Sequence, residues 1–312
     1  MKKLLIVFMI IISSLALVGC SQKEDVATPP ETINIGVMPD VESIPFIIAE
    51  KNGYFAREGV KVNIEHFKSA QDRDSALQSG KLDGVITDIV AVVFANEGGF
   101  DLRMIAKNDG NIELLAGPES GIKSVEEIKG KDIGLSTNTI MEYSLDKMLA
   151  DAQLAPADIN KVAVPQLPTR LEMLQGGKID AAILPEPLAG LAVKNGALVL
   201  NSTDRMAHKA GAIAFTGKSL KENAEAIKAV FRAYNEGVAY LAREPVAGYA
   251  DFIIETQGFP LDIKDSLQLP QYSQAELPDE KIVAQVVQWM QAKKLIKGSY
   301  EYNDLVDQTV LR

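Results

Sequence analysis

The apolar positions of the chain fall into short runs that are separated by helical patterns and polar loops. Residues 84–87 and 181–184 are apolar with little alternation, as expected of strands that are covered on both faces. Each run follows a helix-length segment that ends in a glycine, Gly80 or Gly177, and glycine adopts the left-handed backbone of a helix end without steric cost. Each run also leads directly into a polar loop. This order of helix, strand and loop predicts an α/β fold.

The strongest signal in the pattern is a stretch that occurs twice. Residues 77–86 read LQSGKLDGVI and residues 174–183 read LQGGKIDAAI, at an offset of 174 − 77 = 97 residues. A second pair of apolar segments, residues 35–37 and 133–135, lies 133 − 35 = 98 residues apart. Any α/β protein repeats such patterns to some degree, but gapless agreement over a whole stretch indicates a duplication. The sequence therefore predicts two similar lobes.

Polar loops follow the predicted strands of both lobes. Ligands bind beyond the carboxyl ends of strands in open parallel sheets, so two facing lobes predict a cleft that these loops line. The candidate ligand-binding residues are Asp40, Ser43, Thr87, Asp88, Ile89, Ser136, Thr137, Asn138, Thr139, Tyr143, Pro185 and Glu186. For Ser43, Asp88 and Thr139, simple helix capping is an equally good interpretation.

The predicted loops contain carboxylates but no lysine or arginine. A buried anion such as nitrate or an alkanesulfonate would then depend on backbone N–H groups and hydroxyls, close to Asp40, Asp88 and Glu186. A neutral or amine-bearing ligand is therefore favoured, and the anion remains the alternative. Phe46, Tyr143 and Phe215 are near enough to the loops to stack on a flat heterocycle. Core packing is the other interpretation of these rings, and it is preferred for Phe46.

The last part of the chain is helical. Residues 224–243, 246–256 and 279–294 carry apolar residues at helical spacing. Trp289, the only tryptophan in the chain, is interpreted as a packing residue far from the strand-end loops. Thr169 is predicted to cap the helix that leads into the second copy of the repeat.

Composition and charge argue against several classes of function. The chain of 312 residues is long enough for two domains, and its net charge of −10 argues against a nucleic-acid partner, which needs a basic surface. The two histidines, His66 and His208, have no carboxylate cluster at metal-ligand spacing around them. The sequence contains no P-loop, nucleophile elbow or dinucleotide fingerprint. No cofactor, metal or catalytic residue is predicted.

The start of the chain carries a targeting pattern. Two lysines precede an apolar core at residues 4–15, and the tetrapeptide LVGC that ends at Cys20 resembles a bacterial lipobox. Residues 1–19 are therefore predicted to be a signal peptide, and Cys20 is predicted to carry a diacyl-type lipid anchor. Residues 20–32 would form a polar tether that holds the protein on the outer face of the cell membrane. An ordinary signal peptide with an incidental cysteine is the alternative.

Further segments carry a family resemblance. The sequence IAEKNGYF at 48–55 is followed by EGV at 58–60, and SVEEIKGK at 124–131 leads into the strand at 133–135. In this order, together with the repeat and the lipobox, these segments resemble the nitrate/sulfonate/thiamine-precursor family of ABC-importer substrate-binding proteins. The resemblance covers residues 33–245.

The resemblance implies a type II periplasmic-binding fold, with two lobes of mixed, mainly parallel sheets and two crossing segments beside the ligand cleft. It implies a discontinuous first lobe, residues 33–116 and 212–312, and a second lobe of residues 117–211. The implied function is that of a monomeric protein that captures a small molecule by closure of its lobes and delivers it to an ABC permease. The expected ligand is a thiamine-precursor-like pyrimidine or another amine-bearing heterocycle.

An enzyme on the same fold is the second interpretation. Related folds support a menaquinone-pathway dehydratase and a pyrimidine-forming enzyme that consumes its own histidine, so fold alone does not decide the function. Three features argue against catalysis: the export signal, the absence of histidine from the cleft loops, and the absence of any cysteine other than Cys20. The sequence therefore predicts a binding protein and not an enzyme.

Overall fold

The structure, a computed structural model, describes residues 32–206 and 208–312. The predicted signal peptide, the lipidation site Cys20 and the tether as far as residue 31 lie outside the described residues. Thr32, the last residue of the predicted tether, belongs to the first strand instead, because it pairs with Lys61.

Strands and helices alternate through most of the described chain, as the apolar runs predict. The strands are Thr32–Val37 (β1), Lys61–His66 (β2), Gly84–Asp88 (β3), Leu102–Lys107 (β4), Ile112–Ala116 (β5), Asp132–Leu135 (β6), Asn160–Ala163 (β7), Ala181–Pro185 (β8), Leu198–Ser202 (β9) and Gly211–Thr216 (β10). The α-helices are Ile44–Lys51 (α1), Tyr54–Arg57 (α2), Ala70–Gln78 (α3), Ile89–Glu97 (α4), Ile140–Asp151 (α5), Leu167–Gln175 (α6), Leu188–Lys194 (α7), Gly217–Glu222 (α8), Ala224–Leu241 (α9), Ala250–Gln257 (α10), Glu280–Ala292 (α11) and Tyr302–Leu305 (α12). Short 3-10 helices cover Val125–Ile128, Pro156–Asp158, Val246–Gly248 and Leu261–Ser266. Within this described part, every helix falls short of the length or the apolarity that a bilayer-spanning segment needs.

The strands form two five-stranded sheets with matching arrangements. The first sheet has the order β2-β1-β3-β10-β4, and the second has the order β7-β6-β8-β5-β9. In the first sheet β10 runs against the other four strands, and in the second β5 does so. These mixed, mainly parallel sheets confirm the predicted α/β class with two similar lobes.

The chain crosses between the two sheets twice. The strand β4 ends at Lys107 in the first sheet and β5 begins at Ile112 in the second, so residues 108–111 make the first crossing. The boundary predicted after residue 116 lies too late, because β5 pairs with β8 and β9 and its apolar side chains are buried there. The second crossing ends where β10 begins in the first sheet, at Gly211.

Part of the C-terminal region packs on the second lobe, although the prediction places all of residues 212–312 in the first. Ile253 of α10 and Ile263 of the following 3-10 helix belong to one buried apolar cluster with Leu188 and Leu191 of α7. This apolar cluster joins the two lobes, so the C-terminal region is shared between them.

Two of the predicted caps are observed at the N-termini of helices that begin at the strand-end loops. The side-chain oxygens of Asp88 and Thr139 accept hydrogen bonds from the backbone N–H groups of Ala91, at 2.9 Å, and Met141, at 3.2 Å. Such bonds satisfy donors that the first turn of a helix leaves free. The capping interpretation is therefore confirmed for α4 and α5.

The ends of the duplicated helices agree with the sequence pattern, but one start does not. Gly80 and Gly177 follow α3 and α6 with φ values of 78° and 62°, so the predicted left-handed helix ends are confirmed. Thr169 is wrong as a cap, because it lies inside α6, whose N-cap residue is Gln166. Pro168 in the first turn makes this earlier start favourable, since proline lacks the N–H group that a cap would satisfy.

Candidate ligand-binding site

A small cavity lies where the strand ends of the two sheets face each other. Half of the predicted site residues line it, from both lobes. They are Asp40, Thr87 and Asp88 from the first lobe and Ser136, Thr139 and Pro185 from the second. The cavity has a volume of about 60 Å³, room for about two water molecules. The two lobes therefore stand close together around it.

Several predicted residues do not line this cavity. Ser43 is fully buried, and its Oγ accepts a hydrogen bond from Gln257 Nε2 at 2.5 Å. Ile89 packs in the apolar core with 1% exposure. Thr137 is exposed on the loop, and Asn138 lines a neighbouring cavity. Ser43 and Ile89 are therefore directed by partners in the packed fold that the sequence pattern does not reveal.

Glu186 lies in a strand-end loop but faces its own helix. Its Oε2 accepts the backbone N–H of Gly190 at 3.0 Å, which satisfies a donor in the first turn of α7. Burial, together with the nearby Glu113 carboxylate, raises the pKa of Glu186 to about 7. The carboxyl group of Glu186 is therefore directed to the start of α7 rather than into the cavity.

Tyr143 packs between the lobes instead of facing the cavity. Its side chain is fully buried, and its hydroxyl lies 2.5 Å from His208 Nε2. Its ring meets the ring of Trp289 edge-on, with centroids 5.3 Å apart. Phe215 is also fully buried, in the first-lobe core, so core packing explains both rings. Trp289 is a packing residue, as predicted. The predicted distance from the strand-end loops is wrong, because Trp289 packs on Tyr143 of α5, the helix that follows one of those loops.

Arg73 lines the cavity, although the loop sequences predict no cation there. It belongs to α3, and only 3% of its surface is exposed. Its guanidinium donates to Ile86 O and Thr87 Oγ1, both at 2.8 Å, and pairs with Asp74 at 2.8 Å. The prediction of a site without cations is wrong because it considers only loops, whereas this side chain reaches the cavity from a helix.

Arg170 occupies the matching position in the second lobe, at 170 − 73 = 97 residues after Arg73. It donates to Ile183 O at 2.7 Å and to Ser136 Oγ at 2.5 Å, and burial lowers its pKa to about 10. Ile183 follows Ile86, the acceptor in the first lobe, by 183 − 86 = 97 residues. The duplication therefore includes a buried arginine in each lobe. This equal spacing is the sequence signal that would have found both residues.

A glycine in the first strand of each duplicated unit makes room for the arginine. A Cβ atom at Gly36 would lie 3.2 Å from Arg73 Cγ, and one at Gly134 would lie 3.3 Å from Arg170 Cγ. The nearest apolar atoms would be closer still. The Cβ at Gly36 would lie 2.6 Å from Leu82 Cδ1, and the Cβ at Gly134 would lie 2.4 Å from Ile179 Cδ1. The strand glycine and the helix arginine therefore fit together as one unit in both lobes.

The two arginines orient a pair of hydroxyl groups. Thr87 Oγ1 and Ser136 Oγ each accept a hydrogen bond from a guanidinium, so each hydroxyl proton must point away from its arginine. Both residues line the cavity. The cavity can therefore offer one hydroxyl donor from each lobe to an acceptor atom.

Three carboxyl groups share the cavity with Arg73: those of Asp40, Glu42 and Asp88. Burial, and then the neighbouring Glu42, raises the pKa of Asp40 well above its usual range, and burial also raises the pKa of Glu42. Burial brings the pKa of Asp88 to about 6. Glu42 Oε2 is buried and has no hydrogen-bond partner among the described residues. Burial therefore favours protonation at both Asp40 and Glu42, and the closeness of Glu42 favours it further at Asp40.

Glu42 is a lining residue that the sequence prediction omits. It lies two positions after Asp40 in the same strand-end loop. The chain bends and turns between the two residues, so strand alternation does not apply, and the signal that would have found Glu42 is its place as a carboxylate in a predicted cleft loop.

A group of charged and aromatic side chains joins the lobes beside the cavity. This interlobe cluster consists of Glu142, Asp146, Lys161, Trp289 and Lys293. Lys293 Nζ lies 2.6 Å from Glu142 Oε1, and Trp289 Nε1 donates to Asp146 Oδ2 at 3.0 Å. Although burial raises the pKa of Glu142, hydrogen bonds from Lys161 and Lys293 bring it down to about 2. The helix α11, which packs on α4 of the first lobe, is thereby tied to α5 of the second.

Comparison with known proteins identifies relatives of two kinds. The model of a family described as NMT1/THI5 like matches residues 40–247. A protein of Brachyspira hyodysenteriae named as an ABC transporter periplasmic binding protein is 26% identical over 213 residues, and the match covers 64% of this chain and 60% of that protein. The chain thus spans less than two thirds of that relative. The Saccharomyces cerevisiae 4-amino-5-hydroxymethyl-2-methylpyrimidine phosphate synthase THI13 is 22% identical over 271 residues, which cover 79% of this chain and 76% of that protein.

A solved structure shares the fold over almost the whole chain. The alkanesulfonate-binding protein SsuA from Xanthomonas axonopodis pv. citri, bound to MOPS, superposes with a TM-score of 0.78 at 17% identity. The match covers 91% of this chain and 100% of that one. At this identity the likeness concerns the fold alone, and it confirms the predicted periplasmic-binding architecture.

Proposed function

Because this chain belongs to the NMT1/THI5-like family, we propose that it is the extracytoplasmic solute-binding protein of an ABC importer. It captures a small organic molecule between its lobes and delivers it to a membrane permease. The observation that carries the proposal is the cavity lined by strand-end loops of both lobes. At about 60 Å³ the cavity is too small for an organic solute as it stands, so the lobes must move apart to admit one. A solute that then contacts both lobes favours a form in which they close around it.

The polar lining favours a flat heterocycle that bears an amine, such as a pyrimidine related to thiamine precursors. The carboxyl groups of Asp40, Glu42 and Asp88 accept hydrogen bonds from amine donors. The hydroxyls of Thr87 and Ser136 donate to a ring nitrogen or to an oxygen substituent. An aminopyrimidine carries both kinds of group on one ring.

An anion such as an alkanesulfonate is the second candidate. The observation in its favour is Arg73 together with the two hydroxyl donors. However, Arg73 already pairs with Asp74 and donates to two protein oxygens. A buried anion would meet three carboxyl groups and one cation that is already paired, which is unfavourable.

The substitution Asp88→Asn tests the charge of the ligand. Asparagine keeps a side-chain oxygen that can accept the N–H of Ala91, so the helix cap remains while the ionisable group is lost. Calorimetry with 4-amino-5-hydroxymethyl-2-methylpyrimidine is expected to show a loss of about 1–3 kcal/mol of binding free energy, because an amine donor is left unpaired. Glu186→Gln is the matched control, since that carboxyl group faces Gly190 and its loss should leave the affinity unchanged.

The opposite result has a clear signature. Tight binding of nitrate or a simple alkanesulfonate by the wild-type protein, strengthened by Asp88→Asn, would favour the anion and contradict the amine. Denaturing freshly purified protein and identifying the released small molecules by mass spectrometry gives an independent identification of the solute.

We propose no catalytic step, although the relatives include a yeast synthase. Both histidines bind protein partners: His66 Nδ1 lies 3.1 Å from Gln257 Oε1, and His208 Nε2 lies 2.5 Å from the Tyr143 hydroxyl. Neither histidine is among the described residues that line the cavity. An enzyme that consumes its own histidine would need that side chain at the substrate. Incubation with candidate solutes followed by mass spectrometry tests this, and a new product would contradict a pure binding role.

We also propose that Cys20 carries a lipid anchor on the outer face of the cell membrane. The support is the lipobox and the absence of any other cysteine in the sequence. Cys20→Ala is expected to move the protein from the membrane fraction to the soluble fraction without changing its affinity for solute. Fractionation followed by immunoblotting measures this, and unchanged membrane retention would exclude the anchor.

A further inference from the structure

A second and larger cavity, which we call the side pocket, lies where the two lobes meet the C-terminal region. Its volume is about 440 Å³, against about 60 Å³ for the first cavity, and no described residue lines both. Four parts of the chain form it: Pro39 in the loop after β1, the end of β2 with the residues that follow, the helices α6 and α7, and the end of α10 with the segment after it. Small-molecule sites commonly have volumes of about 300–1,000 Å³ and lie at such junctions.

The wall of the side pocket is mainly apolar. Leu171, Leu188, Leu191 and Phe259 line it and are themselves only 3–6% exposed. All four belong to the apolar cluster that joins the lobes. The ring of Phe67 lines the pocket from the first lobe. A ligand body that fits this wall must be mostly apolar.

The polar groups of the side pocket define the rest of the ligand. Gln175 Nε2 is buried and has no hydrogen-bond partner among the described residues, which is costly unless an acceptor meets it. The charged lining residues have both signs: Lys68 is positive, and Glu172 and Asp262 are negative. Burial lowers the pKa of His66, which favours its neutral form. These groups fit a neutral molecule with one hydrogen-bond acceptor.

Gln257 lies between the side pocket and the first cavity. Its Nε2 donates to Asp40 O at 2.9 Å and to Ser43 Oγ at 2.5 Å, in the loop that also lines the first cavity. Its Oε1 lies 3.1 Å from Nδ1 of His66, a lining residue of the side pocket. Gln257 is only 5% exposed, so the two sites are neighbours that a buried side chain separates.

We propose that the side pocket is a second ligand site, which takes a neutral, mostly apolar small molecule whose single acceptor receives a hydrogen bond from the side-chain amide of Gln175. A molecule bound there contacts the first lobe, the second lobe and the C-terminal region together. Its binding therefore favours the arrangement of lobes seen here over an opened one. The site is separate from the cleft and does not depend on the identity of the transported solute.

The fluorescent dye Prodan, a neutral naphthalene with one ketone acceptor, tests the proposal on the full-length protein. Saturable binding with blue-shifted emission is expected. Gln175→Leu is expected to weaken Prodan by about fivefold or more, because the donor is lost, and to leave binding of 2-dimethylaminonaphthalene, which lacks the ketone, unchanged. The matched control is Gln78→Leu, since Gln78 holds the same position of the repeat, 175 − 78 = 97 residues earlier, and does not line the side pocket.

A second variant tests the location. Leu191→Trp places a larger side chain in the side pocket and is expected to weaken binding of both dyes, with circular dichroism melting as the check on folding. Absence of saturable Prodan binding to the wild-type protein, or binding that Leu191→Trp leaves intact, would overturn the site. An equal loss of both dyes in Gln175→Leu would overturn the acceptor contact. If Leu191→Trp does not fold, the comparison of Gln175→Leu with Gln78→Leu decides alone.

Discussion

Asp88 has two roles at the edge of the first cavity. Its Oδ1 accepts the N–H of Ala91 and so caps α4, while its carboxyl group lines the cavity near Arg73. Burial raises its pKa from the ordinary 3.8 to about 6, and Arg73 opposes that rise. A buried carboxylate of this kind destabilises the empty protein at neutral pH, which is typical of groups kept for binding.

The raised pKa of Asp88 predicts how the stability of the empty protein changes with pH. The folded state holds this proton more tightly than the unfolded state, so the stabilisation is complete below 3.8 and is lost as the pH rises through about 6. Asp88→Asn is therefore expected to raise the free energy of unfolding by about 2–3 kcal/mol at pH 7.5 and by little at pH 4. Urea unfolding at the two pH values measures the difference, and an equal effect at both would contradict the raised pKa.

At the scale of elements, the duplicated unit is a strand with a glycine, a helix with an arginine and a second strand whose carbonyl the arginine binds. Arg73 donates to Ile86 O and Arg170 donates to Ile183 O. A guanidinium buried in this way holds the end of the second strand against the helix, because breaking the contact would leave buried polar groups unpaired. The loop that follows each strand is thereby positioned for the cavity.

The fit between strand and helix can be tested in the second lobe. A Cβ atom at Gly134 would lie 2.4 Å from Ile179 Cδ1, so Gly134→Ala is expected to lower the free energy of unfolding by about 1–3 kcal/mol. Ile179→Val removes that Cδ1 atom, so the double variant should be more stable than the sum of the two single effects predicts. Chemical denaturation of all four proteins measures the coupling. Simple additivity would show that the two side chains do not compete for the same space.

At the scale of the whole molecule, two regions hold the lobes together around the cavity. One is the apolar cluster between α7 and the C-terminal region, and the other is the interlobe cluster. If solute binds the form in which the lobes are together, small-angle scattering should show a smaller radius of gyration when solute is present. No compaction at saturating solute would indicate a rigid site.

Trp289 reports on this motion because it is the only tryptophan in the chain and contacts α5 of the opposite lobe. Lys293→Met is expected to weaken the contact between the lobes by about 1 kcal/mol, and so to shift the Trp289 emission to longer wavelength and increase the radius of gyration without solute. The matched control is Lys294→Met, because the neighbouring Lys294 is exposed and lies outside the interlobe cluster. Unchanged emission and scattering in Lys293→Met would show that the cluster does not hold the lobes.

The sequence by itself determined the elements of this protein and their duplication. The apolar runs, the glycines at 80 and 177 and the caps Asp88 and Thr139 are local signals, and the structure agrees with them. The repeat also predicted two similar lobes and a cleft between strand ends. These features follow from the sequence because they depend on backbone preferences and hydrogen bonds over a few residues.

Only the tertiary structure decided which side chains meet in the cavity. Ser43 and Glu186 belong to the right loops, yet each turns to a protein partner, Gln257 or the N–H of Gly190. Arg73 reaches the cavity from a helix, and the predicted end of the first lobe at residue 116 falls at the end of β5, which pairs in the second sheet. The physical reason is that the direction of a side chain and the partner of a strand depend on elements distant in the chain. Local periodicity shows that a polar group lies near a strand end, but only the packed lobes determine what that group faces.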